Sequence, residues 1–245
     1  MNESALLYHT HHSLEADDLP FWLDWAEQQG GPILELGCGT GRVMLPLAQA
    51  GYEIVGIDHD PEMLAFLSDE ATVRQVGEID IIQADITTLH LNQRFALVLM
   101  PCNTFSTLSS RSQRATVQRS REHLRQNGIF IASMPNPQVL VSLPRHGAAQ
   151  LETSFLHPLS GHPVQVRSEW KRSKETVTFF WHYDHLLPDG HMERQTLSAR
   201  HYLHSKDGLL ETFRQAGLNI EATYGDYDST AYDKDSPYLI VVSRR

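Results

Sequence analysis

As far as Ser133, the apolar positions fall in short blocks separated by amphipathic stretches. Ile33-Leu34-Glu35-Leu36 reads as a short buried strand. Glu53 to Ile57, Asp80 to Gln83, Ala96 to Met100 and Ile129 to Ser133 read as four more. Helical patterns run between them, from Arg42 to Ala50, from Pro61 to about Glu70 with Asp60 as cap, and from Ser110 to Gln126, stopped by Asn127-Gly128. Near-continuous apolar strands alternating with helices predict a parallel sheet covered on both faces. Upstream, Asp17 or Asp18 caps a heavily apolar helix from about Leu19 to Gln29, which Gly30-Gly31 stops. The lead before it, Met1 to Asp18, is polar and histidine-rich with no core pattern; the expectation is a mobile segment that a ligand orders.

Further on, the period falls to two. Val164, Val166, Ser168 and Trp170 alternate with Gln165, Arg167, Glu169 and Lys171, a half-buried strand. Thr176 to Leu187, the turn Pro188-Asp189-Gly190 and His191 to Leu203 complete an antiparallel meander of three strands. On Thr176 to Leu187, one face carries Val177, Phe179, Trp181, Tyr183, His185 and Leu187, and the other includes Phe180 and Leu186. A sheet wetted on one side has a cleaner polar face, so a partner is expected on both. A helix from Lys206 to Ala216 and strands from Leu218 to Tyr224 and Tyr238 to Ser243 finish the chain. The predicted organisation is one α/β domain over residues 1–245. Residues 1–29 form a lid segment and helix, and 150–203 a β insertion that walls the ligand site or makes a homodimer contact.

Composition narrows the function. Among 245 residues, 41% are apolar and 20% charged, the balance of an ordinary globular protein. Thirty acids against 20 bases give a formal charge of −10, which disfavours nucleic acid as a partner. Two cysteines, Cys38 and Cys102, make no disulfide scaffold and point to a reducing, cytoplasmic setting. No apolar run approaches the roughly 18 residues a membrane span needs. No metal is expected: His182 and His185 point to opposite faces of a strand, and no histidine pair has zinc-ligand spacing with cysteine support. The arginines of the helix from Ser110 read as a solvated outer face.

Chemistry concentrates in Glu35-Leu36-Gly37-Cys38-Gly39-Thr40-Gly41-Arg42, after a strand and opening a helix. Glycines there let backbone turn sharply and approach a ligand closely. A dinucleotide fingerprint, G-x-G-x-x-G, would put its third glycine at Arg42 counted from Gly37, or at Met44 counted from Gly39. A nicotinamide-dependent oxidoreductase is therefore disfavoured. Glu35 would repel a pyrophosphate and suits a ligand bearing an ammonium and a sulfonium. Asp58 ends the second strand, 21 residues beyond Gly37, where an acid can accept both ribose hydroxyls. Asp85 ends the third, in Gln83-Ala84-Asp85-Ile86. Acids at the ends of three successive parallel strands line the rim where ligands of open α/β sheets bind.

These pieces, with Val55-Gly56-Ile57-Asp58, Asp60-Pro61-Glu62-Met63-Leu64 and Phe95-Ala96-Leu97-Val98-Leu99-Met100, resemble the class I S-adenosylmethionine-dependent methyltransferases in order and spacing across about residues 30 to 134. Pro237-Tyr238-Leu239-Ile240-Val241-Val242 resembles the family's carboxy-terminal half. The resemblance implies a Rossmann-like, seven-stranded, mostly parallel sheet with its last strand antiparallel, S-adenosylmethionine as cofactor and a small-molecule methyl acceptor. It also implies roles. Gly37, Cys38, Gly39 and Gly41 pack under the methionine part of the cofactor, near Glu35. Asp58 holds the ribose, and His59 and Met63 lie near the adenine. Asp85 meets the adenine amino group, with Ala84 and Ile86 around the ring. Met100 offers backbone near the methionine amino group, and Tyr8 or Trp22 covers the cofactor. After the fourth strand, Met100-Pro101-Cys102-Asn103-Thr104-Phe105 departs from the Asp/Asn-Pro-Pro-Tyr of some members, which speaks against methylation of nucleic-acid amines. Asn103, Tyr183 and His185 are candidates for work on the acceptor, whose methylated atom stays open among nitrogen, oxygen and carbon. The alternative is a non-catalytic S-adenosylmethionine-binding or regulatory protein.

Overall fold

The computed structural model describes residues 2–14, 16–77 and 79–245; Met1 and Glu15 of the lead, and Glu78, lie outside the described residues. In chain order the elements are α1 (Glu3–Ser13), α2 (Leu19–Gln29), β1 (Ile33–Leu36), α3 (Met44–Gln49), β2 (Ile54–Asp58), α4 (Pro61–Val73), β3 (Asp80–Gln83) and β4 (Phe95–Met100). A 3-10 turn (Thr104–Thr107), α5 (Ser110–His123), β5 (Leu124–Pro135) and α6 (Pro137–Ser142) follow. Then come β6 (His146–Leu156), β7 (Pro163–Arg172), β8 (Thr176–Leu186), β9 (Met192–Tyr202), α7 (Lys206–Gln215), β10 (Asn219–Tyr224) and β11 (Tyr238–Arg244).

Seven strands form one sheet in the order β10-β11-β5-β4-β1-β2-β3, with β11 antiparallel to both neighbours. The chain winds outward from β1 through β2 to β3, then returns to β4 on the other side of β1. That reversal opens a crevice beyond the carboxyl ends of β1 and β4, the usual ligand position in such sheets. One core face gathers Leu34, Val98, Phe130 and Phe213; the other gathers Trp22, Ile33, Leu45 and Leu99. Local chemistry sets the element ends. Asp60 accepts from the amides of Glu62 and Met63 to start α4. Helix α5 stops at His123, short of the predicted Gln126, because fully buried Leu124 pairs opposite Phe95 and draws the chain into β5.

The lead differs from expectation. It is helix α1, started by the Asn2 side chain, which accepts from the Ala5 amide. Ala5 and Leu6 pack on Phe66 and Met63, while Leu7 packs on Val164, Val166 and Tyr183. Its histidines find tertiary partners. His9 Nδ1 lies 2.9 Å from Thr40 Oγ1, and His11 Nδ1 lies 3.0 Å from the Tyr183 hydroxyl. So few apolar positions, divided between two surfaces, leave no periodic signature in sequence.

The insertion has four strands, ordered β6-β7-β8-β9, and spans 146–202 rather than three strands within 150–203. The unforeseen strand, β6, is an edge strand whose residues are mostly exposed, so it carries little alternation. The second face, for which a partner is expected, takes part of its cover from within the sheet. The outer face is covered by its own long side chains. Arg194 donates twice to Asp184, at 2.5 and 2.8 Å, and His182 Nδ1 lies 2.8 Å from Thr196 Oγ1. The Lys171 ammonium sits 5.2 Å above the Phe180 ring. At its end Leu186 and Met192, paired across β8 and β9, stay exposed. Among the described residues no helix is long and apolar enough to cross a membrane.

Candidate active site

The loop after β1 is built for close approach. The amides of Gly37 and Cys38 both donate to the Ile57 carbonyl, at 2.7 and 3.0 Å, folding the loop back over the end of β2. Gly37 has φ 74°, and a Cβ there would stand 2.7 Å from Thr104 Cγ2; Gly41 has φ 83°, and a Cβ would stand 2.2 Å from Leu67 Cδ1. Only glycine fits either position. Asp58 clamps the loop from β2: one carboxylate oxygen accepts from the Gly39 amide at 2.9 Å, the other from the Asp60 amide at 3.0 Å. A carboxylate has about four acceptor positions, so roughly two stay open for a ligand's hydroxyls.

The other predicted cofactor residues separate into exposed and buried. His59 is exposed, with Nδ1 3.3 Å from Asp58. Met63 lies under α1 with Ala5, Leu6 and Phe66. Asp85 is exposed, and one of its oxygens accepts from both the amide and the hydroxyl of Thr87. Those bonds hold its carboxyl below the usual carboxylate range, and the second oxygen stays free for a ligand. Ala84 and Ile86 are half-buried beside the core, and the Met100 side chain is fully buried at the end of β4.

Glu35 is 1% exposed, and its Oε2 has no hydrogen-bond partner among the described residues. Burial pushes its carboxyl up to about 8. Arg42 lies near but is committed elsewhere. Its two terminal nitrogens each donate to Asp18 at 2.6 Å, and one also reaches Cys102 Sγ at 3.0 Å. Trp22 Nε1 donates to the same Asp18 carboxylate at 2.8 Å. Trp22 is therefore a core residue, fully buried where α2 locks to the glycine loop, and does not cover a ligand as the sequence reading allowed. Tyr8 on α1 is the aromatic brought to the rim. Its phenol lies within electrostatic reach of Cys102, Arg42 and Asp58, and burial raises its pKa. At the end of β4, Cys102 and Asn103 both sit in the left-handed region, φ 56° and 63°. That backbone strain marks the rim, and the buried Asn103 Oδ1 has no partner among the described residues.

Of the three acceptor-side candidates, the structure brings Asn103 alone to the rim. Tyr183 is buried beneath α1, and burial raises its pKa, so its hydroxyl stays protonated and braces His11. His185 lies at the far end of the insertion, stacked 4.4 Å from His157 and 2.9 Å from Ser160 Oγ. Glu3, His157 and His185 could hold a metal by distance, with ligand atoms within 4.8 Å of one another. The hydrogen bonds give the cluster a different role. His157 Nδ1 accepts from the amides of Leu159 and Ser160, so Nε2 carries the proton and donates to Glu3 at 2.8 Å. A metal-bound imidazole needs its other nitrogen protonated, and here that nitrogen faces two donors. The trio latches α1 to the insertion. Sequence reasoning missed His9, His12, Glu152 and the His201–Ser106 bond of 2.8 Å, since each gains its place only through long-range contacts.

Comparison with known proteins agrees with this geometry. Residues 33–128 match the methyltransferase domain family. The chain is 28% identical over 221 residues to a cypemycin N-terminal methyltransferase of Streptomyces sp, covering 88% of this chain and 84% of that one. It is 22% identical over 238 residues to a glycine/sarcosine N-methyltransferase of Aphanothece halophytica, covering 96% and 84%. The crystal structure of an S-adenosylmethionine-dependent methyltransferase from Clostridium acetobutylicum superposes with a TM-score of 0.79 over 94% of this chain and 92% of that one, at 14% identity.

Proposed function

Because the chain belongs to the class I S-adenosylmethionine-dependent methyltransferases, we propose that its acceptor is a small molecule and that the methylated atom is an amine nitrogen. The observation that carries this reading is the position of the insertion. Its inner face is tied to the 3-10 turn after β4 through His201 and to α1 through Tyr183, which sets the insertion against the side of the acidic rim. A rim flanked on that side by the insertion suits a small acceptor better than a nucleic acid, as does the charge of −10. The nitrogen is supported by two relatives matching most of this chain, whose names place their methyl groups on nitrogen.

When bound, S-adenosylmethionine would supply a sulfonium-activated methyl group: an amine lone pair forms the N–C bond as the C–S bond breaks, the neutral thioether leaves, and the extra proton on the product nitrogen passes to water. The chain's part is to bind, align and exclude water. Asp58 takes the ribose, the glycine loop cradles the methionine part, and Glu35 answers its positive charge. Asn103 Oδ1 accepts from the amine and orients its lone pair. Methyl transfer from labelled cofactor to glycine, alanyl-alanine and glucosamine, against glycolate and glucose as hydroxyl counterparts, tests the reading. Turnover on at least one amine and on neither hydroxyl compound is expected; methylation confined to the hydroxyl compounds would sink it.

Glu35 adds a pH dependence. In the free protein it stays protonated up to about pH 8. A cationic cofactor favours the ionised form, so binding releases a proton. The sign follows: affinity for S-adenosylmethionine rises with pH until it passes about 8 and then levels off, because the free carboxyl is by then ionised. Glu35→Gln should flatten this dependence. Calorimetry in buffers of different ionisation enthalpy reads the released proton, and a pH-independent wild-type affinity would contradict the assignment.

A further inference from the structure

The α1-facing side of the insertion carries a row of large aromatic rings that no core packs fully. Trp170 pairs with Phe179, and Trp181 pairs with Ser168, all on the face shared with Val177 and Tyr183. Phe179 lies 6.3 Å from Trp181, with 24° between the ring planes, and 6.4 Å from Trp170. All three are half-buried. The face is anchored at both ends. His201, opposite Val177, lies 2.8 Å from Ser106 in the turn after β4. At the other end Tyr183 lies 3.0 Å from His11 of α1, and His9, two residues earlier on the same helix, joins the glycine loop through Thr40. The rings lie between these two anchors on the inner face.

Their surroundings are electronegative. Glu152 lies 3.2 Å from His11 Nε2, and bonds from His11 and Ser168 hold its carboxyl below the usual range. His12 packs edge-on to Trp181 at 5.6 Å, and burial lowers it to about 3; burial lowers His201 to about 4. Both rings are neutral at physiological pH. Arg167 and Arg194 turn to the opposite face, onto Asp184, and Arg172 donates to the Leu143 carbonyl. Negative ring faces beside an ionised carboxylate attract an organic cation. His12 Nε2, buried without a partner among the described residues, offers one further polar contact at the α1 end.

We infer that Trp170, Phe179 and Trp181, with Glu152 at their edge, form a subsite for an alkylammonium group of the acceptor. The inference rests on the amine reading above and sharpens it: the acceptor is an amine received over the aromatic row as its ammonium, which gives a proton to water before its lone pair meets the methyl group. The test uses the whole protein saturated with S-adenosylhomocysteine and titrated, by ligand-observed NMR, with choline and its uncharged isostere 3,3-dimethyl-1-butanol. Choline should bind about tenfold tighter or more. Trp181→Leu and Phe179→Leu should each remove most of that preference, and Glu152→Gln should reduce it several-fold. S-adenosylhomocysteine affinity should hold in all three, which also reports that they fold. Equal binding of the two probes, or a preference that survives the substitutions, overturns the subsite. The two readings fail separately. Amine turnover without choline preference leaves N-methylation standing and removes the subsite, whereas choline preference with methylation of hydroxyl compounds alone does the reverse.

Discussion

Arg42→Met is expected to cost about 3–5 kcal/mol of folding stability, because it leaves the Asp18 carboxylate buried without its cationic partner. The two side chains are 15% and 7% exposed, so water cannot take over the lost bonds. Asp18 would keep the Trp22 indole as a donor, a neutral bond that offsets little of the charge. The damage would spread, since the pair joins α2 to the glycine loop and, through Cys102, to the strained end of β4. Adding Asp18→Asn to Arg42→Met should recover a large part of the loss, as removing both members of a buried pair leaves no orphaned charge. Urea denaturation of the wild type and the two variants measures this. A single-variant loss below about 1 kcal/mol would place the pair among water-screened surface bridges.

Asp58→Ala is expected to weaken S-adenosylhomocysteine binding about tenfold to a hundredfold, or roughly 1.5–3 kcal/mol. Two losses combine. Hydrogen bonds from the ribose to a charged acceptor go, and so does the clamp on the Gly39 amide that shapes the loop. Asp58→Asn, which keeps one acceptor oxygen, should fall between wild type and alanine. Calorimetry on folded protein decides it, and unchanged affinity in the alanine variant would remove Asp58 from the cofactor site.

Much of this protein is local in sequence. The βα alternation up to Ser133 needs only near-continuous apolar strands, caps such as Asp60 and stops such as Gly217, each readable within a few residues. The rim was legible for the same reason: a parallel strand must end at one edge of the sheet, so Glu35, Asp58 and Asp85 share that edge once the strands are placed. Whether Trp22 faces a ligand or the core was not local. Its helix keeps Asp24, Glu27 and Gln28 exposed, but what Trp22 faces on the other side is decided by the Asp18–Arg42 bridge, which draws α2 onto the loop.

Tertiary structure alone decided the acceptor side. Helix α1 has few apolar positions, and its histidines are buried by partners far along the chain, His9 by Thr40 and His11 by Tyr183. His185 looked equivalent to Tyr183 by its alternation along β8. The position of α1 separates them, holding one beneath the helix at His11 and the other in the Glu3 latch. The outer face of the insertion looked in need of a partner because apolar residues were counted along one strand, while its cover comes from charged side chains on the neighbouring two. Periodicity determines which residues share a face, because that follows from backbone geometry within one element. What covers a face depends on side chains brought together from distant parts of the chain, and that was settled only by the packing of α1 and the four-stranded sheet against the rim.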